Sequence, residues 1–302
     1  MLAGKTNSEK QLVVSEYITN PLLINGFKFD LRVYALVTSL NPLKVYVYQD
    51  GLARFCSDKF SLEEQHLTNR YAHLTNYSIN KHSVKFRVCE DDTEVGQGGK
   101  CLITHLKSQL SESNYKFMFD RMEDIIVKTI ISAENTMFKA AHNCVKYRDS
   151  CFEALGFDFL LDSYMNPWLL EVNTSPSFAT DSKLDYELKS KVLTEVLNIV
   201  GINRETENDK VRRYKVNTKL ESFLSLAATK LRKKQQDKKD QAKTKRDYLV
   251  HELREELARS DQFKLVFPGL NSDDYTKFFE EDRPTNRILR KDILRRKYNA
   301  AE

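Results

Sequence analysis

The stretch Gly26-Phe-Lys-Phe-Asp-Leu-Arg-Val-Tyr34 decides the fold class, because charged and apolar side chains alternate along it. Such alternation is typical of a β-strand with one buried face. It places the charged residues opposite the apolar ones: Lys28, Asp30 and Arg32 against Phe29, Leu31 and Val33. A charged row backed by a core suits a wall that holds the ribose and phosphates of a nucleotide, with Arg32 stabilising phosphoryl charge. An ordinary amphipathic edge strand is the alternative.

The sequence around this stretch predicts an α/β fold in which helices pack on an antiparallel sheet. Asn41-Pro42 indicates a turn into a strand at Val45–Tyr48, and Asp50-Gly51 indicates a hairpin turn into a further strand. Two more strands are predicted at Phe157–Asp162 and Pro167–Asn173. The remaining predictions are helices over 61–72, 115–142, 185–200, 219–259 and 286–298, and a loop over 80–104.

Composition excludes several classes of protein. The chain has 302 residues, of which 41% are apolar and 30% charged, so it is neither collagen-like nor wholly disordered. We expect no transmembrane helix and no secretory signal, because no long apolar run is present. The five cysteines include no C-x-x-C pair, which favours reduced thiols in the cytosol over disulfides or a zinc site.

Charge divides the chain near residue 203. Residues 204–302 carry 26 basic and 18 acidic side chains, a net charge of +8, whereas the preceding residues carry −3. A basic segment attracts polyanions such as nucleic acid, acidic membranes or an acidic protein surface. A solvated helix with scattered charges is the alternative. The candidate contact stretches are Thr229–Lys239 and Arg290–Lys297.

Three oxygen-bearing side chains form a candidate metal site. Glu171 and Asn173 lie two residues apart on a predicted strand and therefore share a face. Asp158 lies on the preceding strand of the same hairpin, within cross-strand reach. Two carboxylates and an amide oxygen suit Mg²⁺ bound together with phosphate oxygens. A polar face of a surface hairpin is the alternative.

Other phosphate-binding signals are weak. The chain contains neither G-x-x-x-x-G-K-[ST] nor G-x-G-x-x-G, and Gly96-Gln-Gly-Gly-Lys100 is a poor substitute. The polar stretch His73-Leu-Thr-Asn-Tyr-Ser-Ile-Asn80 is dense in hydrogen-bonding groups, as ligand-binding loops and ordinary turns both are. A nucleotide site here requires another kind of fold.

Six motifs follow one another along the chain: Val14–Ile18, Gly26–Tyr34, Gly51–Phe55, His73–Ser78, Gly156–Asp162 and Pro167–Ser177. In this order they resemble the tubulin tyrosine ligase-like family of ATP-grasp enzymes, and within it the polyglutamylase branch. The resemblance covers about residues 11–203, so residues 1–203 would be the C-terminal part of the ligase domain and 204–302 a basic helical extension.

The resemblance implies a role for each matching residue. It assigns catalysis to Arg32 and Glu171 and the metal to Asp158, Glu171 and Asn173. The residues that it assigns to ATP binding are Glu16, Tyr17, Ile18, Lys28, Phe29, Asp30, Thr75 and Asn76. Those that it assigns to the incoming glutamate are Arg54, Tyr77, Ser78, Lys100 and Lys189. The cations among them agree with the positive partners that a dicarboxylate needs.

The implied reaction adds free L-glutamate to glutamate side chains of acidic tubulin tails, using ATP and Mg²⁺ through an acyl phosphate. The basic extension would bind microtubules. We expect a monomer in the cytoplasm and cytoskeleton, with the ciliary basal body and axoneme as candidate places, and neither nucleic acid nor membrane as partner. The alternatives are a glycine or tyrosine ligase of the same fold and an inactive microtubule-binding protein.

The resemblance also implies that a lobe which closes on the ATP phosphates precedes the adenine-binding hinge. Some ten residues precede the hinge in this sequence. We therefore expect this chain to be a truncated form that binds ATP poorly on its own.

Overall fold

The computed structural model describes residues 14–87, Val95, 99–144, 151–202 and 234–299. They form an antiparallel sheet with helices packed on both faces. The strands are β1 Leu23–Ile24, β2 Phe27–Leu40, β3 Leu43–Phe55, β4 Gly99–Leu102, β5 Glu153–Leu161, β6 Pro167–Asn173 and β7 Phe263–Phe267. The helices are α1 Arg70–His73, α2 Tyr77–Asn80, α3 Glu112–Cys144, α4 Lys183–Val200, α5 Lys234–Arg259 and α6 Pro284–Asn299. None of the helices in the described ranges is long and apolar enough to cross a membrane.

Strand β2 lies at the centre of the sheet, whose order is β4-β3-β2-β5-β6, with β1 added to β2 and β7 to β3. Its apolar face is buried as predicted: Phe29, Leu31 and Val33 are at most 1% exposed. The edge-strand alternative is wrong, because β3 and β5 pair with β2 on either side.

Each face of the sheet has its own apolar core. Helix α3 packs Phe119, Met122 and Ile126 against one face. Helix α4 packs on the other face, against a smaller cluster that includes Tyr34 and Leu52. On this second face the side chains of β2 that precede Tyr34 are charged. Helix α4 therefore packs on the apolar half of the face, and its first turns border the charged half.

The turn at Asn41-Pro42 is confirmed, since β2 and β3 meet there with Leu40 opposite Leu43. The predicted hairpin turn at Asp50-Gly51 is wrong, because β3 runs through both residues. The register shifts there, so that β3 carries extra residues as a bulge. Asp50 stabilises the bulge by accepting hydrogen bonds from the backbone N–H groups of Gly51 and Thr104, over 2.8 and 3.0 Å.

The polar region between β3 and α3 contains less helix and more sheet than predicted. The helix predicted over 61–72 is present as a short 3₁₀ turn at Glu64–His66 and the single turn α1. Strand β4 pairs with β3 inside the predicted loop over 80–104. Residues 88–94 and 96–98 of that loop lie outside the described ranges.

Later predictions of helix and strand agree with the structure. Helices α3, α4 and α6 and strands β5 and β6 are confirmed. Helix α4 begins after Ser182, whose side chain accepts a hydrogen bond from the Asp185 N–H, and ends at Gly201 in the left-handed region at φ 76°. Helix α5 confirms the second part of the helix predicted over 219–259, and residues 219–233 lie outside the described ranges. Strand β7 was not predicted.

Candidate functional site

The charged half of the sheet face is built from directly opposed residues on five neighbouring strands. Arg32 of β2 lies opposite Asp158 of β5, which lies opposite Glu171 of β6. On the other side, Asp30 of β2 lies opposite Arg54 of β3, which lies opposite Lys100 of β4. Directly opposed residues of antiparallel strands project to the same face. The pairing therefore gathers predicted residues from five separate segments into one row.

Ion pairs link the centre of this row. Arg54 binds Asp30 with two bonds of 2.7 Å and reaches Asp158 Oδ2 over 2.9 Å. Arg32 binds Asp158 through its Nε atom and, over 2.8 Å, through its Nη2 atom. Burial alone disfavours ionisation, but these partners hold the pKa of Asp158 below its usual range and that of Arg54 above it. Thr75 completes the cluster by donating to Asp30 Oδ2 over 2.7 Å.

The donor set around Asp158 fits a hard divalent cation. Asn173 Nδ2 donates to Glu171 Oε1 over 3.2 Å, so these two side chains lie together beside Asp158. The two arginines fill three of about four lone-pair positions of the Asp158 carboxylate, which leaves one for a metal. No group of three His, Cys, Asp or Glu side chains suited to a metal is present in the described ranges. The candidate site consists instead of two carboxylates and one amide.

One end of the row joins Lys28 to the predicted adenine hinge. Lys28 Nζ donates to Tyr17 Oη and to the His73 carbonyl, both over 3.0 Å. Tyr17 Oη also lies 2.9 Å from His73 Nδ1. Burial raises the pKa of Tyr17 to about 12, and burial lowers the pKa of Lys28. These contacts attach the hinge segment to β2.

The other end of the row gathers residues predicted to hold the incoming amino acid. Lys100 Nζ binds Asp185 Oδ2 and lies 4.2 Å from the centre of the Tyr77 ring. Lys189 Nζ lies 3.3 Å from Asp185 Oδ1 and also donates to the Ala179 carbonyl. Lys100 of β4 and Lys189 of α4 thus meet at one buried carboxylate, and Tyr77 of α2 lies against Lys100.

Several predicted residues lie outside these contacts. The side chain of Phe29 stacks on Phe55 at 5.0 Å between ring centres in the opposite core, so it faces away from the charged row. Glu16, Asn76 and Ser78 are exposed, and Ile18 is half-buried.

Two contributors were missed by the sequence analysis. Asp185 was assigned no role, although it lies four residues before Lys189, a spacing that brings side chains together on a helix. Asn80 accepts hydrogen bonds from the Ser57 N–H and hydroxyl and donates to the Leu74 carbonyl, which fixes the polar stretch that carries Thr75 and Tyr77.

Comparison with known proteins adds independent evidence. The family model described as the tubulin-tyrosine ligase family matches residues 3–209, more than half of the chain. The chain belongs to this family. The predicted resemblance is therefore confirmed, and the mixed α/β sheet agrees with the ATP-grasp-like fold of the family domain.

Curated relatives agree with the expected branch. The chain is 43% identical over 197 residues to tubulin polyglutamylase TTLL5 of Homo sapiens, covering 64% of this chain and 15% of that protein. It is 37% identical over 279 residues to tubulin polyglutamylase TTLL6 of Mus musculus, covering 90% and 32%. Tubulin monoglutamylase TTLL4 of Mus musculus is 34% identical over 307 residues, covering 92% and 26%. The chain thus spans at most about a third of the length of these relatives.

Proposed function

We propose that this protein is an ATP-dependent ligase that adds glutamate, through an isopeptide bond, to glutamate side chains of tubulin tails. The observation that carries the proposal is the meeting of Lys100, Lys189 and Tyr77 beside the row that contains Asp158 and Glu171. This arrangement supports a carboxylate-binding pocket next to a phosphate- and metal-binding face. The polyglutamylase relatives support the same substrate class.

The proposed reaction has two steps. The acceptor carboxylate oxygen attacks the γ-phosphorus of ATP, the bond to the β–γ bridging oxygen breaks, and ADP leaves. The amine of free glutamate then attacks the acyl carbon, loses a proton, and displaces inorganic phosphate. Arg32 orients and stabilises the phosphoryl oxygens. Lys28, Asp30 and Thr75 bind the nucleotide, and Arg54, Lys100 and Lys189 hold the carboxylates of the donor.

Asp158, Glu171 and Asn173 would hold Mg²⁺, which supplies charge neutralisation of the ATP phosphates. The protein would act as a monomer in the cytoplasm on the tubulin of the cytoskeleton, including that of cilia. The segment after residue 203 would supply contacts to the microtubule surface.

Mass spectrometry of tubulin tail peptides tests the proposal. The protein is incubated with Mg²⁺, ATP, a tail peptide and one amino acid at a time: glutamate, glycine or tyrosine. We expect peptide products that carry added glutamate and none with glycine or tyrosine. Glu171→Gln should abolish the product, whereas Glu187→Gln, at an exposed position of α4, should preserve it. Addition of glycine or tyrosine instead would contradict glutamate as the donor.

Calorimetry with Mg²⁺ and ATP separates the remaining alternative. It is carried out on this chain and on its Glu171→Gln variant. ATP binding that Glu171→Gln abolishes supports the ligase. Absence of ATP binding, with microtubule binding intact, would favour the inactive microtubule-binding protein.

A further inference from the structure

Asp185 is a buried carboxylate that joins two lysines from different elements. It is 2% exposed, its Oδ2 atom binds Lys100 of β4, and its Oδ1 atom lies 3.3 Å from Nζ of Lys189 in α4. The Ser182 hydroxyl donates to Oδ2 over 2.9 Å. Three donors therefore converge on this carboxylate, which fixes the two ammonium groups side by side.

Without an anion between them, these ammonium groups would repel each other. Lys100 and Lys189 are 3% and 8% exposed, so water screens their charges poorly. Burial lowers the pKa of Lys100 and the charge of Lys189 lowers it further, whereas Asp185 and, to a smaller extent, Asp181 raise it. With Asp185 in place the three groups carry one net positive charge, which a single ligand carboxylate would neutralise.

The remaining groups that face Lys100 do not replace Asp185. Tyr77 presents its ring face, and its pKa is raised, chiefly by burial. Arg54 is the cross-strand partner of Lys100 and is already paired with Asp30 and Asp158.

We propose that Asp185 is a positioning residue of the donor amino-acid site. It keeps Lys100 protonated and aligned beside Lys189, so that the two lysines together take one carboxylate of the incoming glutamate. The inference rests on the proposed function, which assigns the two lysines to the donor. Asp185 acts through the lysines and does not itself contact the substrate.

The test is the variant Asp185→Asn, which keeps the shape of the side chain and removes its charge. NMR titration of the lysine Cε and Nζ signals should show the pKa of Lys100 lowered by about one unit or more. Because a neutral amine binds carboxylate poorly, KM for glutamate should rise about tenfold at alkaline pH, with a smaller rise at neutral pH. The value of kcat should change little, and Asp185→Glu should restore both readouts.

Glu195→Gln provides the matched control. Glu195 is another buried carboxylate of α4, and it accepts hydrogen bonds from the backbone N–H groups of Asp261 and Phe263. Removing the charge of Glu195 in this variant should leave the Lys100 titration and the pH profile of KM unchanged.

Two results would overturn the role of Asp185: an unchanged Lys100 pKa in Asp185→Asn, or a KM that rises equally at every pH. The failure of the proposed function is distinguishable. If the unmodified enzyme rejects glutamate as donor, that function is refuted, while the Lys100 titration still decides whether Asp185 holds Lys100 charged.

Discussion

At the scale of single residues, the candidate site is organised by charges that neutralise one another across strands. Asp158 forms ion pairs with both Arg32 and Arg54, and Arg54 also forms an ion pair with Asp30. Removing one member would leave a buried charge without its partner, which costs more than the pair itself contributes. The ion pairs therefore hold these side chains in place, in the positions from which they would contact a ligand.

Acid should weaken the fold through Asp158. Its pKa is below the usual range in the folded protein, so its stabilisation is complete above about pH 4 and is lost as the pH falls through the folded-state pKa. In Asp158→Asn, we expect the unfolding free energy from urea titrations to fall less steeply below that pH. Exposed Asp120→Asn serves as the control and should keep the steep fall. An equally steep fall in Asp158→Asn would contradict this account.

The sequence predicts which side chains share a strand face and leaves most of their partners open. The alternation at Lys28, Asp30 and Arg32 is confirmed, and so is the cross-strand pairing of Asp158 with Glu171. Both could be predicted because each requires only a single strand or one local hairpin. The pairing of Arg32 with Asp158 joins residues 126 apart in the chain. No local pattern specifies that register.

At the scale of elements, a buried ion cluster attaches α5 to the sheet. Lys44 of β3 is 1% exposed and binds both Glu252 and Glu256 of α5. Glu256 also accepts hydrogen bonds from Tyr46 Oη over 2.7 Å and from the Thr38 hydroxyl over 3.1 Å. Burial, followed by the charge of Glu256, raises the pKa of Tyr46 well above its usual value, so the phenol remains a donor.

Lys44→Met should destabilise the protein by about 3–5 kcal/mol, because it leaves two carboxylates in a buried site without their cation. Chemical denaturation followed by circular dichroism measures the loss. Adding Glu256→Gln to the variant should recover part of it. Lys183→Met, which breaks an exposed pair with Glu187 3.9 Å away, should leave stability unchanged. If Lys44→Met also left the unfolding free energy nearly unchanged, the ion cluster would not be what attaches α5 to the sheet.

Two errors of the sequence analysis concern elements whose environment is non-local. Asp50-Gly51 has the chemistry of a hairpin turn, but β4 and β7 extend the sheet along β3, which favours a continuous strand with a bulge. Strand β7 follows a helix rich in Lys and Glu, and its short apolar run is stabilised by pairing with a strand some 220 residues earlier. Helices α3 and α4 were predictable because their apolar spacing is contained in the helix itself.

At the scale of the whole molecule, part of the positive charge after residue 203 is held in ion pairs among the residues that the structure describes. Arg290 pairs with Asp273, and Arg254 reaches buried Asp292 over 3.2 Å. In the candidate stretch Arg290–Lys297, the described side chains that remain exposed and basic are Lys291 and Arg295 of α6. The other candidate stretch, Thr229–Lys239, lies partly outside the described ranges.

Co-sedimentation with microtubules at low salt tests this surface. The double variant Lys291→Gln/Arg295→Gln should bind more weakly than the unmodified protein, because acidic tubulin tails attract exposed cations. Added salt should reduce the difference. Lys116→Gln/Lys128→Gln removes the same charge from α3 and should bind normally. Equal pelleting of both double variants would contradict a microtubule contact at α6.

The position of Trp168 gives the molecule a built-in optical reporter. It is the sole tryptophan of the chain and is 51% exposed at the start of β6, the strand that carries Glu171 and Asn173. Its indole N–H donates to Asp162 over 3.1 Å, which holds the ring against the neighbouring turn. Its emission depends on local polarity, so a change in intrinsic fluorescence on addition of Mg²⁺ and ATP would report binding near β6 without a dye or a label.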